Sequence, residues 1–347
     1  MSVNSHLIFN EINLTFILNQ TGGLLVLLGR ILNQSFVIPI VGALLFGILL
    51  ILIQFMLEKL YNVKDVFLGL TYILPAILLL YATSAGYALY AALDGDFAFV
   101  ALLGTLISVS LFALYRYCSK KKWGGEIVGL VVIALVPFIG VYAVLSAAMI
   151  FLESIINKQN RWHLYLLTFV LALLFLLLGG RYIFCESYLT ALFSPSIFSY
   201  FVILRVLFIL IWIVLLLTPF VSYFLSKKQK QLTKQTLVLQ SLTLIVVMSL
   251  VYAFSYKDEN FRTEMKLVRL CDDGKWEEME QVVAETDSLT KPINAYRVIS
   301  LARQNKLSDN LFKFKFPLKA SDGHYLSEEP IYYEDMFFHA SLINSHY

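Results

Sequence analysis

Charge is scarce in this chain. Only 15% of its 347 residues are Asp, Glu, Lys or Arg, against roughly 25% in soluble globular domains. So few charges cannot dress a surface of this size for water, which excludes an ordinary soluble fold. Cysteine is scarcer still. Cys118, Cys185 and Cys271 lie far apart with no CxxC spacing, so no disulfide framework or redox motif can be read. Five scattered histidines complete no metal-ligand pattern, so no metal is expected, and the sequence leaves any cofactor unknown. The opening MSVNSHLIFNEINL has no basic n-region and does not read as a signal peptide. The acidic C-terminal part has no basic patch, which argues against a nucleic-acid partner.

What the chain has is apolar surface: 59% hydrophobic residues and a mean hydropathy of +0.74. A bilayer span needs about 20 apolar residues at 1.5 Å rise each. Seven stretches come close: residues 36–57, 66–90, 97–115, 127–152, 163–180, 198–225 and 236–254. The expected fold is therefore all-α, a polytopic transmembrane helical bundle with a small soluble helical-repeat tail. Ahead of the first span, Gly22–Leu32 is apolar over only half a span, and with Glu11–Gln20 it reads as an interfacial or re-entrant segment. Three regions follow: 1–35 at the outer face, 36–255 in the membrane, and 256–347 in water.

The charges set orientation. Residues 1–255 hold 15 Lys and Arg against 8 Asp and Glu, whereas 256–347 hold 12 against 16. Strict alternation over seven spans divides the loop cations 7 against 7 and defines no inner face. If residues 127–152 instead enter and leave on one side, turning near Pro137 and Gly140, the division becomes 12 against 2. Loops 58–65, 116–126, 153–162 and 225–235 then share one face, as the positive-inside rule expects. The competing reading is a single span kinked at Pro137. The hairpin places the N-terminal segment and the tail outside, which in a bacterial inner membrane means the periplasm.

In the tail, 261–270 and 276–284 have helical apolar spacing around the turn Asp272-Asp273-Gly274-Lys275. The phrase LCDDGKWEEM is echoed further on by LARQNKLSDN. A helix–turn–helix unit repeating at that interval, close to the roughly 34-residue tetratricopeptide period, suggests a tetratricopeptide-like solenoid; a generic helical tail is the alternative. The repeat predicts Trp276 and Leu307 at equivalent positions, with Trp276 buried. A third apparent unit, 331–347, would leave Met336, Phe337, Phe338, Leu342 and Ile343 without a stacking neighbour. A protein partner or a longer chain is expected to cover them.

Thr21-Gly22-Gly23-Leu24 through Leu28-Gly29-Arg30 resembles a domain-of-unknown-function family of bacterial membrane proteins with tetratricopeptide-like tails. So do Leu301-Ala302-Arg303 through Phe312 and Pro330-Ile331-Tyr332-Tyr333 through Ile343-Asn344. The resemblance implies a further transmembrane helix before the Glu11 region and more chain beyond Tyr347. In layout, though not in sequence, the chain is also similar to polyprenyl-phosphate-dependent glycosyltransferases of the GT-C class. Those carry a catalytic carboxylate in a first outer loop, which the analogy equates with 11–34.

Six residues are the expected site. Arg205 lies about two turns inside the sixth long segment with no acid on its own helix, where a cation is expensive and should face protein. It is the expected anchor for a lipid phosphate, with Arg181 and Arg30 at the same outer interface. Glu11, Asp94 and Asp96 are the candidate carboxylates for acid–base work. Each has a plainer reading: a structural pair or snorkelling for Arg205, turn chemistry for Asp94-Gly95-Asp96, a solvated face for Glu11, headgroup anchoring for Arg30, and a local Arg181–Glu186 ion pair. The expected partners are membrane lipid, a polyprenyl-phosphate sugar and a protein on the tail. Transfer from such a lipid-linked sugar at the outer face is the leading expectation, a non-catalytic scaffold the second, and a transporter the third.

Overall fold

The computed structural model describes residues 11–62, 66–86, 97–121, 123–193, 202–226, 234–286 and 290–310. Every regular element among them is helical. The chain divides into two compact units. The first holds the described residues up to Ala85 and from Phe97 to Ser255; the second holds Gly86 and the described residues from Tyr256 onward.

The first unit opens with α1 (Glu11–Leu18) and α2 (Gly23–Asn33), turned at Gly22 in the left-handed region, φ 77°. Proline at the first position starts α3 (Pro39–Tyr61), where the missing N–H is no loss. A 3₁₀ stretch, Val66–Tyr72, leads into α4 (Ile73–Thr83), whose Pro75 again sits in the first turn. Then come α5 (Phe97–Cys118), α6 (Gly124–Ile139), α7 (Val141–Ile156), α8 (Trp162–Tyr182), the short α9 (Tyr188–Phe193), α10 (Val202–Ser226) and α11 (Lys234–Phe254).

Among the described residues, four helices are long and apolar enough to cross a membrane: Pro39–Tyr61, Ala98–Cys118, Trp162–Tyr182 and Ile203–Leu225. Ile40, Leu44, Ile48 and Ile51 on α3 are all exposed at helical spacing, a face suited to lipid. The expected second span resolves as a shorter apolar helix, Leu68–Thr83, within the described residues.

The segment that could be either a kinked span or a hairpin is a hairpin. Its helices break at Gly140, φ 61° and ψ −135°, a conformation open to glycine and costly for any side chain. Helices α6 and α7 pack on each other. Their ends remote from Gly140 also meet: Arg161, just past α7, pairs with Glu126 at the start of α6, Nη1 to Oε1 2.6 Å. The tip satisfies its own backbone, as chain away from water must. The Val136 carbonyl accepts from Gly140 N at 2.8 Å, and the Pro137 carbonyl accepts from Gly22 N at 3.0 Å. The α1–α2 turn therefore caps the hairpin.

Helix α7 is the axis of this unit. Val141 through Ile150 are all buried, and α5, α6, α8 and α10 surround them. Small residues on α7 (Ala143, Ser146, Ala147, Ala148) permit that close approach. Ser108 on α5 donates to the Tyr142 carbonyl at 2.8 Å, and a side chain at Gly104 would collide with the Tyr142 ring.

The second unit contains α12 (Glu259–Asp272), α13 (Trp276–Ala284), α14 (Lys291–Arg303) and the described turn of α15 (Leu307–Asn310). Asp258 caps α12 through Asn260 N at 2.9 Å, and Thr290 caps α14 through Ile293 N at 3.4 Å. Leu267, Val268, Met279, Val283, Ile293 and Tyr296 form the buried core. The echoed phrases also share a backbone geometry. Gly274 (φ 68°) and Asn305 (φ 57°) are both left-handed. Lys275 N donates to the Leu270 carbonyl and Lys306 N to the Leu301 carbonyl, each at 2.9 Å. Both helices thus end in the same six-to-one bonded cap.

Candidate functional site

Helix α1 and the chain after α8 border an open cleft of about 730 Å³, lined by residues that include Glu11, Thr15, Asn19, Phe184 and Glu186. Glu186 is fixed. Its Oε1 accepts from Thr21 N at 2.9 Å and its Oε2 from Thr21 Oγ1 at 2.7 Å, while its own N–H donates to the Gly180 carbonyl at 2.9 Å. A bidentate carboxylate thus joins the end of α8 to the turn that caps the hairpin. Glu11 begins α1, and its carbonyl accepts from Thr15 Oγ1 at 2.6 Å. Ile12 and Phe16 add exposed apolar surface to the wall.

The structure brings together one expected carboxylate, Glu11, and one that was assigned elsewhere. Glu186 is turned toward Thr21 rather than Arg181, which corrects the expected local ion pair. The reason is burial: Thr21 is 1% exposed, and its N–H and hydroxyl need acceptors that a solvated arginine does not. Arg30, Arg181 and Arg205 are not among the cleft's lining residues. Arg181 is exposed, and Arg30 is half-buried in the last turn of α2. Asp94 and Asp96 lie outside the described residues.

Arg205 is half-buried near the start of α10, three residues before Phe208 and so on its face of the helix. The Phe208 ring stands 6.0 Å from Tyr81, 6.2 Å from Tyr142 and 5.2 Å from Trp212. Tyr81 and Tyr142 are both buried within this aromatic group. The Tyr142 hydroxyl, Thr105 Oγ1 and Trp212 Nε1 are buried without hydrogen-bond partners.

The other end of the bundle holds a network that sequence reading missed. Arg116, at the foot of α5, donates through Nη1 to the Leu60 carbonyl (2.7 Å) and Ser222 Oγ (2.6 Å), and through Nη2 to Glu153 Oε2 (2.8 Å). Asn157 Nδ2 donates to Glu153 Oε1 at 3.0 Å, and Ser222 Oγ donates to the Leu60 carbonyl at 2.8 Å. One guanidinium thereby ties together the ends of α3, α5, α7 and α10. The signal available was the acid in AMIFLESII, a lone carboxylate closing an apolar run that requires a cation from elsewhere.

In the second unit, Glu264 is 1% exposed and accepts from Thr290 Oγ1 at 2.6 Å. Arg297 is also buried, its Nη2 donating to the Asn310 carbonyl at 3.2 Å. Burial lowers its pKa, with Glu280 acting in the opposite direction. Among the described residues, no group of three or more His, Cys, Asp or Glu could hold a metal ion.

Residues 8–345 match the model of a family of unknown function, DUF6057, and the chain belongs to that family. No curated protein and no solved structure matches it.

Proposed function

We propose that this protein is a bacterial inner-membrane scaffold, whose bundle fixes the chain in the bilayer and whose helical unit offers a tetratricopeptide-like surface to a protein or peptide in the periplasm. The observation that carries this reading is the repeat of turn geometry. The ends of α12 and α14 share the left-handed residue and the same six-to-one bond. Stacked helical hairpins of that kind build extended binding surfaces. Orientation rests on the twelve cations of four loops, each loop following one of the helix ends that Arg116 ties together.

The test pairs topology with function. Reporter fusions at residue 160 and after residue 310 should report cytoplasm and periplasm respectively; one compartment for both would overturn the orientation. In cells lacking the protein, a chain ending at Ser255 should fail to correct the resulting defect. Chains carrying Glu11→Gln or Glu186→Gln should correct it.

A second reading has its own support. Two carboxylates, Glu11 and Glu186, line one open cleft, as transfer from a polyprenyl-phosphate-linked sugar would use for acid–base work. Among the described residues, no cation lines that cleft. Arg205, Arg181 and Arg30 do not line that cleft, which is why this reading ranks second. It predicts the opposite result in cells: Glu11→Gln would fail where the truncated chain succeeds.

A further inference from the structure

At the Arg116 end of the bundle lies a second pocket, of about 480 Å³. That size falls within the range of small-ligand sites. Helix α8, about 32 Å long at 1.5 Å per residue, separates this end from the Glu11 cleft. A ligand bound here is therefore independent of both readings of the function.

The pocket has a built floor, the Arg116–Glu153–Ser222 network. Both Glu153 oxygens are taken, by Arg116 and by Asn157, so its charge is already matched. On one wall the Tyr115 hydroxyl donates to Gln159 Oε1 at 3.0 Å. That bond leaves the Gln159 NH₂ to donate elsewhere. Arg116 has five N–H donors; its Nε–H is closed off from solvent, and three of its Nη hydrogens are spent, which leaves one on Nη2. Lys120 and Tyr117, both exposed, stand on the rim. Arg116 and Glu153 match each other's charge, so the net charge left on the lining is the Lys120 ammonium, beside one Arg116 Nη2 N–H, the Gln159 amide NH₂ and the Tyr117 phenol. Such a set calls for an anion rich in acceptor oxygens.

We propose that this pocket binds a phosphate-bearing headgroup, held by Arg116, Lys120 and Gln159 with Tyr117 at its mouth. Two sources share that chemistry: an anionic phospholipid of the adjoining leaflet and a soluble phosphate ester. Positively charged pockets between helices at a membrane face suit the first; the open mouth admits the second.

The experiment uses the full chain in detergent micelles. Saturable binding is read by native mass spectrometry and by the shift in thermal unfolding midpoint. Three probes are compared: phosphatidylglycerol, phosphatidylcholine and glycerol 3-phosphate. Saturable stabilisation by phosphatidylglycerol alone identifies a lipid headgroup; stabilisation by glycerol 3-phosphate as well identifies a site for phosphate esters in general. In either case Lys120→Glu and Gln159→Leu should each weaken binding by about tenfold, the effect of one charge-assisted bond. Lys158→Glu, on the same face but outside the pocket lining, should leave it unchanged. Equal losses from Lys120→Glu and Lys158→Glu would mean diffuse attraction to a basic surface, and the site would be rejected. Absence of saturable binding by any probe, or equal binding of phosphatidylcholine, rejects it too.

Discussion

The two ends of the membrane bundle are held shut by different chemistry. At the basic end a cation does it: Arg116 reaches a carbonyl, a hydroxyl and a carboxylate on three other helices. At the opposite end a carboxylate does it: Glu186 grips the backbone and hydroxyl of Thr21. Each end turns a charged side chain inward and finds it partners, because an unpaired charge there would cost several kcal/mol. The difference lies in what remains. The basic end keeps spare donors around its pocket, and the opposite end keeps a second carboxylate, Glu11, beside an exposed apolar wall. Charge at the ends of this bundle is thus partly structural, and function has to be sought in what the networks leave over.

The sharpest way to break this comparison is Arg116→Met. It leaves Glu153, 6% exposed, as an unpaired buried carboxylate. The chain should lose about 3–5 kcal/mol in denaturant unfolding in detergent. Adding Glu153→Leu should recover most of that loss; a double variant no better than the single one would show that the network, not the charge, matters. Next in size is Glu186→Ala, which removes two charge-assisted bonds from a buried threonine and should cost about 1.5–3 kcal/mol. A double-mutant cycle with Thr21→Val measures the coupling directly, and additive effects would mean that the two residues do not act together.

Smaller effects belong to the second unit. The repeat predicts Trp276 as a buried anchor, worth about 3–5 kcal/mol when deleted. It is instead half-buried, with its carbonyl accepting from Gln304 Nε2 at 3.1 Å. Trp276→Ala should therefore cost about half as much, near 2 kcal/mol, read from local hydrogen exchange in α13 and α14. Smallest are the two left-handed turns. Gly274→Ala should cost about 1 kcal/mol and Asn305→Gly should stabilise by a few tenths. Equal responses at the two positions would contradict their ranking, since asparagine already bears part of the left-handed cost that glycine avoids.

The hairpin of α6 and α7 was legible because two independent signals met in it. The loop cations demanded that the segment enter and leave on one face, and Pro137 with Gly140 supplied a place to turn. The cap on that hairpin was not legible. The bond from Gly22 N to the Pro137 carbonyl links two distant parts of the chain, and backbone groups carry no sequence signature. Arg205 stands out in the sequence as a lone cation in an apolar run. The aromatic group beside it, Phe208 with Tyr81 and Tyr142, draws on three helices that no local pattern connects. Glu186 and Arg181 look paired because they are close in sequence. The structure gives Glu186 to Thr21 because the buried threonine had more to lose.

Composition and apolar run length alone determined that this is an all-helical chain built for a membrane, with a more polar helical unit after it. These are properties of solvent transfer and local periodicity, which act residue by residue. Only the tertiary structure decided which charges were already spent, on Glu153 and on Thr21, and which groups remained to line a pocket. That accounting depends on partners brought from distant helices, and their selection is a matter of packing rather than of pattern.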